Sequence, residues 1–145
     1  MKIELRRAHS RKDAKRLSRL DRKIFAVGEA FRERNWWGCR CFWIVVDGKI
    51  AGSIAMSHNK EFRSLYIDTI GVIPSLRGRG IGTFVLDWQI EYAKKLGCRL
   101  VTSDIRLSNK RSVYLHERAG FKVAGVVKDF YDNPKEDGLR LELWV

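Results

Sequence analysis

The sequence has no apolar run near the roughly 18 residues that a membrane-spanning helix needs. Its first residues, Met-Lys-Ile-Glu-Leu-Arg-Arg, lack the apolar segment of a signal peptide. It also lacks repeats, low-complexity tracts and linkers. We therefore expect a cytoplasmic protein in which residues 1–145 form a single domain, a size that can bury a real core.

Cysteine is scarce, and its number, three, is odd. Cys39 and Cys41 form a Cys-x-Cys pair, but no second ligand pair of the kind that completes a zinc site accompanies them. We expect Cys39, Cys41 and Cys98 to be reduced structural thiols, and we predict no metal site.

Acidic residues are outnumbered, with 17 Asp and Glu against 29 Lys and Arg and a net charge of +12. The excess is partly local, because the segment from Arg6 to Lys23 holds nine basic residues and two acidic ones. Within it, helical spacing is kept by Ala14, Leu17, Leu20, Ile24 and Phe25. Two interpretations stay open: a solvated face of an amphipathic helix, or a surface that attracts polyanions such as RNA or a ribosome.

A glycine cluster, Arg77-Gly78-Arg79-Gly80-Ile81-Gly82, lies between two segments of different periodicity. The preceding run from Ser64 to Pro74 is rich in β-branched residues and predicts a strand. The apolar residues after the cluster recur at steps of three or four and predict a helix that ends at Gly97. Glycines at such a turn let backbone N–H groups face a ligand, and a helix start adds partial positive charge. The cluster therefore predicts a phosphate-binding loop, and the plainer alternative is a glycine-rich turn.

Two well-known phosphate motifs do not fit this cluster. A P-loop requires Lys before its Ser or Thr, but Gly82 directly precedes Thr83, and the Rossmann fingerprint requires its third glycine one residue later. The pattern Arg77-x-x-Gly80-x-Gly82 instead resembles the signature of the GNAT superfamily of acetyl-CoA-dependent N-acetyltransferases, Gln/Arg-x-x-Gly-x-Gly/Ala. This resemblance implies acetyl-CoA (coenzyme A) as co-substrate. It assigns the pantetheine arm to the main chain of Ile70, Gly71 and Val72, and the pyrophosphate to Arg77, Gly78, Arg79, Gly80, Ile81 and Gly82.

The predicted element order, β-α-α-β-β-β-α-β-α-β-β, is the order of the GNAT fold. The resemblance thus implies an α/β (α+β) protein with a mixed central sheet of about seven strands and about four flanking helices. Asp47-Gly48 predicts the turn of a β-hairpin formed by the segments Phe42 to Val46 and Lys49 to Met56. A second helix is predicted near Glu29 to Arg34.

A second motif resembles ribosomal-protein-alanine and amino-terminal N-acetyltransferases at Asn109, Leu115, Gly120 and Phe121. By that resemblance Asn109 and Ser112 belong to the coenzyme site, and His116 replaces a family tyrosine that protonates the departing thiolate. An imidazolium can donate a proton near neutral pH. Tyr114 lies about 200° around the helix from His116 and cannot face the same way. The alternatives are that His116 is only a polar helix residue and that another tyrosine, or water, supplies the proton.

An acceptor amine must lose a proton before it reacts, and Asp104 is the predicted base. It precedes Asn109 by five residues, where the amino-terminal acetyltransferases have a glutamate that acts through water. The shorter side chain of aspartate favours a water relay. Asp68, in the central strand, is a second candidate carboxylate. The alternative for Asp104 is a strand-end or turn aspartate without a catalytic role.

The resemblance assigns acceptor recognition to the segment around Phe31 to Trp37 and to a loop from Phe130 to Pro134, with Phe31 and Tyr131 as substrate-binding residues. We expect an N-acetyltransferase that moves acetyl directly from acetyl-CoA to a primary amine, foremost the α-amino group of a protein or peptide, including a ribosomal one. One alternative is a small amine acceptor, although the positive charge repels polycationic amines. Another is an RNA- or ribosome-binding module on the same scaffold. We expect no membrane partner and either a monomer or a homodimer.

Overall fold

The computed structural model describes residues 1–9, 11–25 and 39–145. The helix predicted near Glu29 to Arg34 lies outside the described residues, and so does the predicted substrate-binding residue Phe31. The strands are β1 (Ile3–Ala8), β2 (Arg40–Val46), β3 (Lys49–Asn59), β4 (Ser64–Val72), β5 (Leu100–Arg106), β6 (Lys122–Asp132) and β7 (Lys135–Trp144). The described α-helices are α1 (Arg11–Ile24), α2 (Ile81–Lys95) and α3 (Lys110–Arg118), and a short 3-10 helix spans Pro74–Leu76.

The seven strands form one mixed sheet in the order β1-β2-β3-β4-β5-β7-β6. The pairs β1–β2, β2–β3, β5–β7 and β6–β7 are antiparallel. The parallel pairing of β4 with β5 joins Ser64–Ile67 to Leu100–Ser103. The predicted class and the mixed seven-stranded sheet are therefore confirmed. Three of the predicted helices are described, and the fourth lies outside the residues that the structure describes.

The hairpin turn at Asp47-Gly48 is confirmed. Both residues have positive φ, 48° and 81°, as the tight turn between twisted strands requires. The Asp47 carboxylate also accepts a hydrogen bond of 2.8 Å from the backbone N–H of Lys2, which directly precedes β1. Local turn chemistry thus fixes the β2–β3 register, which holds from Val46–Lys49 outward apart from one bulge at Ile44/Val45.

The prediction of a loop from Phe130 to Pro134 is wrong, because the actual connection is shorter. Strand β6 continues to Asp132 and β7 already begins at Lys135, so only a tight turn at Asn133-Pro134 connects them. The cross-strand pair Asp132↔Lys135 places opposite charges face to face, which favours pairing up to the turn. Tyr131 consequently lies in a strand, where its neighbours hold it more firmly than a loop would.

The chain divides into two compact units, and each has its own buried residues. The first comprises residues 1–57 and 68–84, and the second residues 58–67 and 85–145. In the first unit, one face of α1 packs on β2 and β3 through Ala14, Leu17, Cys41, Trp43, Val45 and Ala55. Buried side chains of the second unit include Leu65, Leu86, Val101, Phe121 and Leu141. The expectation of a single domain stays a prediction.

Helix ends follow the signals in the sequence. Gly97 has a φ of 78°, and the next residue, Cys98, donates its N–H to the carbonyl of Ala93, which closes the end of α2. The side chain of Asn109 caps α3 by accepting a bond of 3.2 Å from the N–H of Ser112. No helix in the described ranges is long and apolar enough to cross a bilayer.

Candidate functional site

The glycine cluster forms the turn that leads into α2. Gly78 and Gly80 have φ values of 78° and 83°, a region that side chains with a Cβ rarely adopt. A Cβ built on Gly80 meets no protein atom within 4 Å. Glycine is therefore demanded here by backbone conformation, not by packing, and the space above it is open. The first N–H groups of an α-helix have no partner within the helix, so this turn suits an anion such as a phosphate.

Arg77, a predicted pyrophosphate residue, uses its guanidinium inside the protein. Its Nε donates to the carbonyl oxygen of Val72 at 3.1 Å, and its Nη2 donates to that of Ile24 at 3.3 Å. The side chain thereby ties the end of β4 to the end of α1. Its contribution to an anion site would come from the main chain and from its positive charge. Arg77 and Arg79 are both exposed.

The end of β4, predicted to hold the pantetheine arm, is tightly packed. A Cβ on Gly52 of β3 would overlap the carbonyl oxygen of Gly71, and a Cβ on Gly71 would come within 3.0 Å of the Phe25 ring. The N–H of Ile73 donates to the carbonyl of Ala51 at 2.8 Å. Glycine at position 52 lets β3 and β4 approach closely, and glycine at position 71 lets the side chains of Ile24 and Phe25 pack on β4. The main chain around Ile70, Gly71 and Val72 is therefore held in place.

Asp68, in the middle of β4, belongs to the same unit as the glycine cluster. The Ser57 hydroxyl donates to its Oδ2 at 2.6 Å, and the Cys39 thiol approaches the same oxygen at 3.7 Å. Burial raises the pKa of the Asp68 carboxyl, and these two hydrogen bonds only partly oppose it. Burial, followed by the charge of Asp68, raises the pKa of Cys39 to about 11. The pair therefore consists of a protonated thiol and a carboxyl whose pKa lies above its usual range.

Asp104, the predicted base, lies in the second unit in an ion pair. Its side chain is 1% exposed, and Arg140 donates to it twice, from Nε to Oδ1 at 2.7 Å and from Nη2 to Oδ2 at 2.6 Å. Tyr66 donates a third bond of 2.8 Å to Oδ2. The two charged residues are directly opposite each other on β5 and β7. The hydrogen bond with Asp104 raises the pKa of Arg140. Both oxygens of the Asp104 carboxylate are therefore already engaged by donors within the protein.

Tyr131, a predicted substrate-binding residue, is half-buried and held at both ends. Its hydroxyl donates to the backbone carbonyl of Asp104 at 3.0 Å. The guanidinium carbon of Arg106 lies 4.4 Å from the centre of its ring, within the range of a cation–π contact. Arg106 in turn pairs with Glu136 at 3.2 Å, and Glu136 accepts a bond of 2.7 Å from the N–H of Ser108. This network fixes the ring next to the Asp104–Arg140 pair.

His116, the predicted proton donor, is 4% exposed and packs edge-on against Phe121 at 5.0 Å between ring centres. Its Nδ1 is 2.7 Å from the carbonyl oxygen of Ser112, which can only accept, so the neutral ring carries its proton on Nδ1. Burial lowers the pKa of His116, partly opposed by this hydrogen bond. Nε2 has no hydrogen-bond partner in the described part of the chain. A neutral ring without a proton on Nε2 is badly suited to donate one there.

The other predicted residues of α3 have structural contacts. Asn109 and Ser112, assigned to the coenzyme site by resemblance, make the N-cap bond described above. Tyr114 is 57% exposed, and its hydroxyl accepts a bond of 3.1 Å from Arg118. Tyr114 and His116 therefore diverge, as their spacing predicts, with the tyrosine in solvent and the histidine buried.

Sequence reasoning missed several residues of these clusters, among them Arg140, Tyr66, Ser57 and Cys39. Arg140 lies between two buried apolar residues of a strand, and a charged residue in such a strand is a usable signal for an ion pair. Ser57 and Cys39 give no comparable signal, because nothing in their local sequence shows that they face Asp68.

The comparisons with known proteins agree with the fold. A model of the acetyltransferase (GNAT) family matches residues 11–121, and the chain belongs to that family. The N-alpha-acetyltransferase MAK3 of Arabidopsis thaliana is 34% identical over 110 residues, which are 74% of this chain and 57% of that protein. The streptothricin acetyltransferase of Streptomyces lavendulae is 27% identical over 92 residues, 63% of this chain and 49% of that protein.

Among solved structures, the ribosomal-protein-S18-alanine N-acetyltransferase from Escherichia coli superimposes with a TM-score of 0.85 and 18% sequence identity. The match covers 99% of this chain and 94% of that one, and it shows the same fold. The chain spans 34% to 57% of the length of four curated relatives that it matches. The predicted family resemblance is thus confirmed.

Proposed function

We propose that this protein is an N-acetyltransferase that moves acetyl from acetyl-CoA to a primary amine, foremost the α-amino group of a protein or peptide. The observation that carries the proposal is the turn at residues 77–82. Two glycines there have positive φ directly before α2, and a Cβ on Gly80 would project into open space. Membership of the acetyltransferase family supports the same assignment.

The residues fit the phosphate part of acetyl-CoA. The main chain of Gly78 to Gly82 would bind the pyrophosphate, assisted by the charges of Arg77 and Arg79, and the main chain of Ile70 and Val72 would bind the pantetheine arm. Asn109 and Ser112 remain proposed coenzyme contacts. When bound, acetyl-CoA supplies an activated thioester, whose carbonyl carbon forms a C–N bond with the acceptor amine as its C–S bond breaks.

We assign the base to Asp68 instead of Asp104. An acceptor ammonium must lose a proton, and a base works best when its pKa is near the operating pH. Burial moves the pKa of Asp68 in that direction, and Asp68 belongs to the same unit as the loop. Arg140 and Tyr66 both donate hydrogen bonds to Asp104, and we assign Asp104 the role of positioning these two side chains. Water protonates the leaving thiolate in this assignment, because the buried ring of His116 is neutral.

The choice of acceptor rests on the relatives. The Arabidopsis N-alpha-acetyltransferase is the more similar of the two relatives compared above and supports a protein or peptide amino terminus. The streptothricin acetyltransferase supports the alternative, a small amine. The net charge of +12 weighs against polycationic amines, which the field of the protein repels.

The test is acetylation of matched substrates with acetyl-CoA. Thiol release and mass spectrometry are used to assay three sets of substrates. These are a peptide library with free amino termini, the same peptides with blocked termini and internal lysines, and a panel of small amines. The proposal expects a single acetyl group on the α-amino nitrogen of some free peptides and none on the blocked ones. Transfer to small amines alone would support the alternative, and no transfer to any amine would refute the activity.

A further inference from the structure

The side chains described as exposed on α1 are all basic. Among its described side chains, the exposed ones are Lys12, Lys15, Arg16, Arg19, Arg22 and Lys23. At 3.6 residues per turn these six lie within an arc of about 120°, and they extend about 16 Å along the helix axis. The helix has two acidic residues: Asp21 is 0% exposed, and Asp13 is half-buried at the edge of this face, where it lies 3.8 Å from Arg16. We call these six residues the basic face of α1.

The exposed side of α2 is different. It carries both signs of charge, with Asp87 and Glu91 beside Lys94 and Lys95, and Lys94 pairs with Glu91 at 3.1 Å. Solvation needs charge but not a single sign, and like charges three or four residues apart destabilise a helix. The basic face of α1 therefore carries a repulsion that solubility alone does not require. A negatively charged partner would relieve it.

The rest of α1 defines what kind of partner fits. The opposite side of the helix packs in the core through Ala14 and Leu17, which are 4% and 1% exposed, so the basic face is presented on a fixed element. It has no exposed apolar residue that could enter a lipid bilayer, as interfacial helices require. Two of its cations also have contacts within the protein, because Arg16 lies 5.1 Å over the Trp43 ring and Arg22 donates to Ser18 at 3.3 Å.

We propose that the basic face of α1 binds the phosphate backbone of RNA. Two cations occur in each helical turn of 5.4 Å, so the stripe matches an anion that repeats along a line better than a single acidic group. The choice of RNA rests on the proposed function, because the amino termini of proteins are made and assembled on ribosomes, whose surface is largely RNA. Binding of this kind is electrostatic and does not depend on base sequence.

The salt dependence of binding measures these contacts directly. Fluorescence anisotropy of a labelled single-stranded RNA is recorded with the full chain at several salt concentrations. Six phosphate contacts predict that log K falls with log[salt] at a slope of about −4, or a loss of about 300-fold between 50 and 200 mM salt. A Lys15→Gln/Arg19→Gln variant should lower that slope in magnitude by about 1.4.

The matched control is Lys94→Gln/Lys95→Gln, which removes two positive charges from α2 and changes the net charge equally. We expect its slope to equal that of the wild type. Equal effects of both variants would overturn the proposal, because the binding would then reflect net charge. Tighter binding to duplex DNA of the same length, to vesicles with 30% phosphatidylserine or to polyglutamate would overturn the choice of RNA.

A separate readout distinguishes this proposal from the proposed function. Acetylation of a free peptide does not require RNA, so both charge variants should retain wild-type peptide acetylation, which also shows that they fold. Absence of RNA binding with intact peptide acetylation refutes only the RNA proposal. Absence of acetylation in the wild type refutes the proposed function and removes the reason for choosing RNA.

Discussion

Replacing Asp104 by asparagine separates a structural carboxylate from a catalytic one. The substitution keeps the shape of the side chain but removes its charge and turns one acceptor oxygen into an NH₂ group that faces Arg140. Asp104 is 1% exposed, and Arg140, at 41%, is partly solvated. Breaking a fully buried pair costs about 3–5 kcal/mol. We take about 2 kcal/mol here, because water can screen and re-solvate the exposed part of Arg140.

The Tyr66 hydroxyl adds to this cost, because it loses a hydrogen bond of 2.8 Å to a charged oxygen. A charge-assisted bond replaced by a weaker one costs about 1 kcal/mol. The free energy of unfolding should therefore fall by about 3 kcal/mol. For a chain of 145 residues this lowers Tm by about 9 °C.

Thermal and urea unfolding of the variant provide the assay, with peptide acetylation measured at a temperature where both proteins are folded. Asp87→Asn makes the same chemical change at an exposed position of α2 and should leave Tm within about 1 °C. A cycle with Arg140→Gln should give a coupling energy of about 2 kcal/mol. The reasoning fails if Asp104→Asn unfolds like the wild type while kcat falls about a hundredfold, since that pattern marks a base.

Two further substitutions test the roles of Asp68 and His116. Asp68→Asn should lower peptide acetylation at least about a hundredfold without lowering stability at pH 7, because burial raises the pKa of Asp68 and its charge costs stability. As pH falls through the raised pKa, the free energy of unfolding of the wild type should rise relative to that of Asp68→Asn. Unchanged acetylation by Asp68→Asn would contradict the assignment of Asp68 as the base. His116→Gln, which can still donate to Ser112, should keep acetylation within about threefold. Since burial lowers the pKa of His116, its unfolded form binds a proton more readily, and the wild type loses stability as pH falls below 6.5. Urea unfolding at pH 7 and 5 should show that His116→Gln loses less stability at the lower pH than the wild type does. A large loss of kcat in His116→Gln would instead support His116 as the proton donor.

The fold was predictable where local signals and periodicity decide it. Asp47-Gly48 can adopt the positive φ values that a tight hairpin turn needs, and the glycines of the cluster do the same before α2. Strand bounds near Pro134 were harder to predict, because Asp, Asn and Pro favour a loop locally. The pairing of Asp132 with Lys135 extends the strands beyond that signal.

The site was less predictable, because its chemistry depends on contacts between distant residues. Asp104 and Arg140 are 36 residues apart, and only the β5–β7 register makes them neighbours. Helical spacing showed that His116 and Tyr114 point apart. It could not show that the His116 ring is buried with Nδ1 on a carbonyl oxygen. Resemblance gave the positions of these residues, whereas the structure gives their burial and their partners.

Calorimetric titration with acetyl-CoA tests the assignment of residues 77–82 most directly. Gly80 and Gly97 are a matched pair, since their φ values are 83° and 78° and a Cβ on either meets no atom within 4 Å. Glutamate at either position therefore carries a similar backbone strain. We predict that the wild type and Gly97→Glu bind acetyl-CoA with a Kd on the order of tens of micromolar or tighter, and that Gly80→Glu, with its negative charge in the phosphate-binding turn, binds at least about thirtyfold more weakly. Equal binding by the two variants, or no binding by the wild type, would contradict the account.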